Sequence, residues 1–127
     1  DAPALFTWEE RAEAARTLAR HCYAAVLLSG PEDIISDGEN CWCVFGGSAQ
    51  SARVTGAGCM LSVLCGAFAA VEPNGAEAAL LASSFWKACS QQAAGSRGSG
   101  SYHIALLDAA STLTTAEFSA AATWKKL

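Results

Sequence analysis

Residues 41–59 read CWCVFGGSAQSARVTGAGC, and the fold turns on how this stretch is read. Two cysteines flank a tryptophan, a glycine pair follows, and a third cysteine closes the run. CWCVF is rich in aromatic and β-branched residues and predicts a short strand that ends at Gly46–Gly47. In a strand Cys41 and Cys43 point to one face, ~7 Å apart, too far for easy bonding to each other. Each thiol then needs a separate partner. Ser48 is placed to cap a helix running toward Cys59, although Gly56 and Gly58 weaken it.

Working outward, the chain has 127 residues, enough for one domain with a modest core. Apolar residues make up 52% and charged residues 16%, a balance that folds rather than staying disordered. The longest apolar run, Cys59 to Val71, is broken by Ser62 and Gly66. It falls short of the ~20 residues a membrane span requires, so a soluble protein is expected. The net charge is −4 and no Lys/Arg cluster occurs, which excludes a nucleic-acid backbone as partner. The most acidic stretch, Glu32 to Glu39, lacks calcium-loop spacing and reads as a solvated loop.

Six cysteines, an even number, stand at 22, 41, 43, 59, 65 and 89. In a small chain this composition suggests three disulfides and an oxidising compartment. With no Met at its start, the chain reads as a mature secreted product whose leader is absent. Zinc needs paired ligand spacings that the single CxC and the isolated His21 and His103 do not supply, so neither metal nor cofactor is expected.

Three further segments carry helix signals. Thr7 and Glu10 form a capping-box pattern ahead of a helix whose apolar positions Ala15, Leu18, Ala19, Cys22 and Val26 share a face; Gly30–Pro31 should stop it. Asn74 and Glu77 open a second clear helix with Ala78, Leu81, Ala82, Phe85 and Cys89 along one side. Thr114 and Glu117 repeat the box before a short terminal helix, or an edge strand. Met60–Val71 is ambiguous, and a helix to about Val63 followed by a strand is favoured. Ala93–Ser101 reads as a flexible loop, and Tyr102–Asp108 as a buried strand.

The Cys-Trp-Cys strand, the glycine turn, the run from Val54 to Cys59 and the later FWKAC ending at Cys89 resemble the KP6 killer toxin α subunit and KP6-like secreted fungal effectors. The resemblance covers about residues 40–108. It implies an α+β fold, a small sandwich of two antiparallel helices on an antiparallel sheet, to which this chain adds an N-terminal helix. The division is then 1–39 (helix and acidic loop), 40–108 (family-like core) and 109–127 (terminal helix or edge strand) of a single domain. It also implies a disulfide-stapled, non-enzymatic protein in the extracellular space or apoplast, acting on a plant-host or microbial target. Cys22, Cys41 and Cys43 would each pair with one of Cys59, Cys65 and Cys89. Self-association and membrane contact are further options, the latter disfavoured by Glu9, Glu10 and Glu13 on the first helix. Lys125–Lys126 is a dibasic pair of the kind secretory proteases cut, although helix-end lysines are commoner.

Two alternatives stand beside this reading. A carbohydrate (chitin)-binding module would use exposed aromatic faces among Trp8, Trp42, Trp86 and Trp124, with Trp42 as the candidate ligand contact and Trp86 assigned to the core. A small ribonuclease-like hydrolase would use His21 and His103 as acid and base, oriented by Glu77 or Asp108.

Overall fold

The computed structural model describes residues 6–127. The first helix, α1 (Trp8–Cys22), starts where the sequence indicates. Thr7 accepts from the Glu10 amide, and the Glu10 carboxylate accepts from the Thr7 amide. It ends earlier than Gly30, at Tyr23, which takes a left-handed conformation (φ 52°). Three strands follow: β1 (Val26–Leu28), β2 (Asp33–Ser36) and β3 (Cys41–Phe45). A 3-10 turn (Ala49–Arg53) leads to α2 (Ala57–Ala69), α3 (Gly75–Gln92), α4 (Ser99–Thr112), α5 (Thr115–Ala121) and a last strand, β4 (Thr123–Lys126).

The strands form one antiparallel sheet in the order β1-β2-β3-β4. Helices cover both of its faces. Period-two alternation sorts the side chains: Ile34, Cys41 and Cys43 pack under Ala12 and Ala15 of α1. Ile35 and Val44 pack on the opposite face against Ala76 and Ala79 of α3. The small residues along α1 let its backbone lie close to the sheet. Ile34 and Ile35 are fully buried, each worth roughly 2 kcal/mol of transfer free energy. A second layer then builds on α3: Leu61 of α2 and Tyr102, Leu106 and Ala109 of α4 close around Ala82, Trp86 and Cys89. Phe85 lies between Phe68, whose ring is tilted to it, and Phe118, which meets it edge-on, with ring centroids 5.9 Å apart on either side.

This architecture corrects the sandwich expectation. The helices are not two on one face but α1 on one side of the sheet and α3 on the other, with α2, α4 and α5 packed on α3. There is no disulfide staple, because all six cysteines are free thiols. The supposed solvated loop at 32–39 contains β2, whose four residues are all buried. The apolar pair Ile34–Ile35 is too short to show periodicity, and the acidic residues around it mask its position in the sheet. Tyr102–Asp108 is helical, since Gly98 and Ser101 start α4 ahead of it and Tyr102, Leu106 and Ala109 are spaced for one helix face. Met60–Val71 does not turn into a strand; α2 runs on to Ala69. At the C-terminus both α5 and the edge strand β4 form.

Candidate functional site

Ends of strands and one helix start converge at a single end of the sheet. The β1–β2 turn (Ser29–Glu32) lies beside the end of β3, because Asp33 is in register with Val44. From β3 the chain passes through Gly46 and Gly47 into the 3-10 turn and then α2. As α3 follows α2 through a short connection and packs against it, the start of α2 lies toward the C-terminal end of α3. Open α/β sheets commonly place ligands outside strand ends of this kind.

Helix α3 holds both loops. Lys87 Nζ donates to the carbonyls of Gly30 (2.8 Å) and Pro31 (2.7 Å) and pairs with the buried Asp33 carboxylate at 3.4 Å. Asp33 also accepts from the Gly30 amide (2.9 Å) and from Ser83 Oγ (2.7 Å). Arg11 grips the same turn from the α1 side, donating to the Glu32 carbonyl at 2.8 Å. One α3 turn beyond Lys87, Ser90 Oγ accepts from the Ser48 amide (2.8 Å). Ser90, Ser51 and Tyr102 then close a triangle of hydroxyls with edges of 2.6 to 2.8 Å. Gln50 bonds the Ser96 carbonyl and the Gly95 amide, completing the clamp. At Gly47 (φ 83°) a Cβ would come within 3.1 Å of Lys87 Cδ and 3.2 Å of Ser90 Oγ, so this close passage of loop over helix requires glycine.

The clamped segment delivers the start of α2. Gly56 takes φ 93° at the N-cap and offers no side-chain cap, and no acidic residue lies in the first turn. A helix start leaves backbone N–H groups without intrahelical partners and carries partial positive charge. Around Gly56 and Gly58 a Cβ would meet nothing within 4 Å, so an incoming group can approach these amides closely. Cys59, exposed, sits in the same first turn. The arrangement suits a phosphate group held by backbone amides with a thiol beside it.

The sequence-predicted site residues scatter. Cys22 is exposed at the end of α1, and Cys41 and Cys43 are buried beneath α1. Cys65 is half-buried on α2, and Cys89 is buried in α3. Burial pushes the thiols of Cys41, Cys43 and Cys65 up, and that of Cys89 up to about 11. These four are structural thiols, packed as small apolar side chains. Only Cys59 stands at the strand-end site. Trp42 is half-buried on the α3 side of the sheet, with Lys126 Nζ 5.8 Å from its ring centroid. His21 is exposed on α1, across the sheet from His103, which is exposed on α4. The acid–base pair of the hydrolase alternative is therefore not assembled. Glu77 is exposed in the first turn of α3. Among the described residues no cluster of three or more His, Cys, Asp or Glu could hold a metal ion, and no helix is long and apolar enough to cross a membrane.

What sequence reasoning missed is the role of VTGAGC. Its glycines, which weaken a helix interior, mark an open helix start. Glycine spacing ahead of an apolar helix was the available signal.

Comparison with known proteins supplies the family and the fold. The family model described as "HK: Hydroxyethylthiazole kinase family" matches residues 6–116. A hydroxyethylthiazole kinase of Nitratidesulfovibrio vulgaris is 42% identical over 103 residues, covering 80% of this chain and 39% of the relative. One from Methanocorpusculum labreanum is 36% identical over 106 residues, covering 84% and 40%. The solved structure of a hydroxyethylthiazole kinase protein from Pyrococcus horikoshii OT3 superimposes with a TM-score of 0.85 at 30% identity, covering 94% of this chain and 47% of that one. The chain thus spans about two fifths of the length of the relatives it matches.

These matches overturn the killer-toxin resemblance. The Cys-Trp-Cys pattern is a buried strand with free thiols, and similar cysteine spacing arose without a disulfide frame. The secreted and apoplastic expectation falls with it, since the relatives are bacterial and archaeal proteins named hydroxyethylthiazole kinase. So do the non-enzymatic reading, the host or microbial target, and the chitin-binding and ribonuclease alternatives. With the family model covering most of its length, the chain belongs to the hydroxyethylthiazole kinase family.

Proposed function

We propose that this chain supplies the phosphoryl-transfer end of a kinase that phosphorylates the hydroxyl of a hydroxyethylthiazole, with a nucleoside triphosphate as donor. The observation that carries this reading is the open start of α2, with Gly56 and Gly58 unobstructed and Cys59 in its first turn. Phosphoryl transfer is catalysed mainly by positioning and by stabilising charge on the transferred group. The backbone amides of the α2 first turn hold the phosphoryl oxygens. Cys59 Sγ stands beside them to take the proton that the attacking hydroxyl loses. The hydroxyl triangle and Lys87 keep the two surrounding loops in place before substrate arrives.

Titration of magnesium-ATP onto the protein, paired with ADP release in the presence of hydroxyethylthiazole, tests this. Cys59→Ala should lower turnover by about 10²-fold and leave nucleotide affinity within about twofold. Gly58→Asp, which puts a carboxylate against the phosphate position, should abolish nucleotide binding. Nucleotide binding that survives Gly58→Asp would place the phosphate site elsewhere.

A further inference from the structure

The two edges of the sheet differ in kind. β4 ends its side of the sheet with Thr123, Trp124, Lys125 and Lys126, all exposed, and lysines on an edge discourage pairing with another strand. β1 ends the other side with Val26, Leu27 and Leu28, which carry neither charge nor proline. An edge of that composition is a template for a further strand. Leu27 also packs against the core cluster that α2 and α3 share, so the open edge and α2 belong to the same side of the molecule.

α2 is incomplete in the same sense. Its thirteen residues, AGCMLSVLCGAFA, include no charged group, yet only Leu61 is buried. Its principal neighbour is α3, and among the described residues no strand is packed substantially beneath it. Ser62, Val63, Gly66, Ala67 and Ala70 are exposed, with Val63 at 74%. A surface helix ordinarily carries a polar face, whereas one apolar all round is a buried helix. The related structure is about twice as long as the part this chain matches.

We infer that the β1 edge and the outer face of α2 form one docking surface, and that its occupant is the polypeptide corresponding to the part of the kinase fold this chain does not match. That polypeptide adds a strand to β1, continuing the sheet, and lays an apolar surface against the small residues of α2, where close backbone approach needs Gly66 and Ala67. The inference rests on family membership and on these two faces, not on the proposed chemistry. Cys59→Ala should therefore leave the assembly intact even where it stops turnover, and an inactive but assembled protein would fault only the chemistry.

Co-expression of the tagged chain with the unmatched part of the Nitratidesulfovibrio vulgaris relative tests it. The expected result is co-purification at one to one, with slowed amide exchange at 26–28 and along α2. Val63→Asp should weaken recovery at least tenfold while circular dichroism shows its helices retained. Leu18→Asp, on the exposed outer face of α1 across the sheet from α2 and α3, should have no effect. Failure to co-purify, a homodimer of the chain alone that protects the same amides, or equal loss with Leu18→Asp would overturn the inference.

Discussion

Cys89 shows how one residue can be read correctly for place and wrongly for chemistry. Helical spacing puts it on the inner face of α3, and it is fully buried there. Its thiol is free, and burial raises it from 9.0 to about 11. In the unfolded chain the thiol ionises near 9, so between pH 9 and 11 the unfolded state loses a proton that the folded state keeps. Stability should therefore fall across that window, by an amount on the order of 2 kcal/mol, and level off above it. Cys41, Cys43 and Cys65 shift in the same direction and steepen the fall. Urea unfolding at pH 8 and pH 10.5 measures it, and Cys89→Ala should reduce the difference. Lys87 is the opposite case. Nothing in its neighbours along the chain marks it, yet it ties a loop more than fifty residues away and pairs with Asp33.

Among the elements, helix starts were the most legible. Thr7–Glu10, Asn74 with Glu77, and Thr114–Glu117 are local devices in which a side chain bonds an amide two or three residues away, so the information lies within one turn. Short strands were the least legible. β1 and β2 have three and four residues, and what makes them strands is pairing with β3 and cover from α1 and α3. The 3-10 turn depends on contacts with α3 and α4 through Ser51, Ser90 and Tyr102. Tyr102→Phe should therefore cost about 1–2 kcal/mol by leaving the buried Ser90 hydroxyl and the half-buried Ser51 hydroxyl each short of a partner. It should also speed amide exchange at 48–56 more than in α1, read by hydrogen exchange with mass spectrometry. Uniform acceleration would mean that the triangle does not locally anchor the turn.

For the whole molecule, the decisive quantity is the redox state of six thiols. A disulfide-framed protein would lose stability on reduction; this one should melt at the same temperature with and without dithiothreitol. In the native state a thiol reagent should modify Cys22 and Cys59 rapidly and Cys65 slowly, with Cys41, Cys43 and Cys89 reacting only on unfolding. Rapid modification of all six would contradict the packing around β3 and α3. The amino-acid sequence by itself determined the helix starts, the pointing of Cys41 and Cys43 to one face, and the burial of Ala78, Ala82 and Cys89 on α3, because each depends on spacing within a few residues; Leu81, which the same spacing puts beside them, is exposed. Only the tertiary structure decided that those thiols stay free beneath α1, that an acidic stretch holds a buried strand, and that VTGAGC opens a helix toward strand ends. Those outcomes depend on which distant surfaces meet, and the energies of burial and pairing that choose between them are properties of contacts rather than of neighbours along the chain.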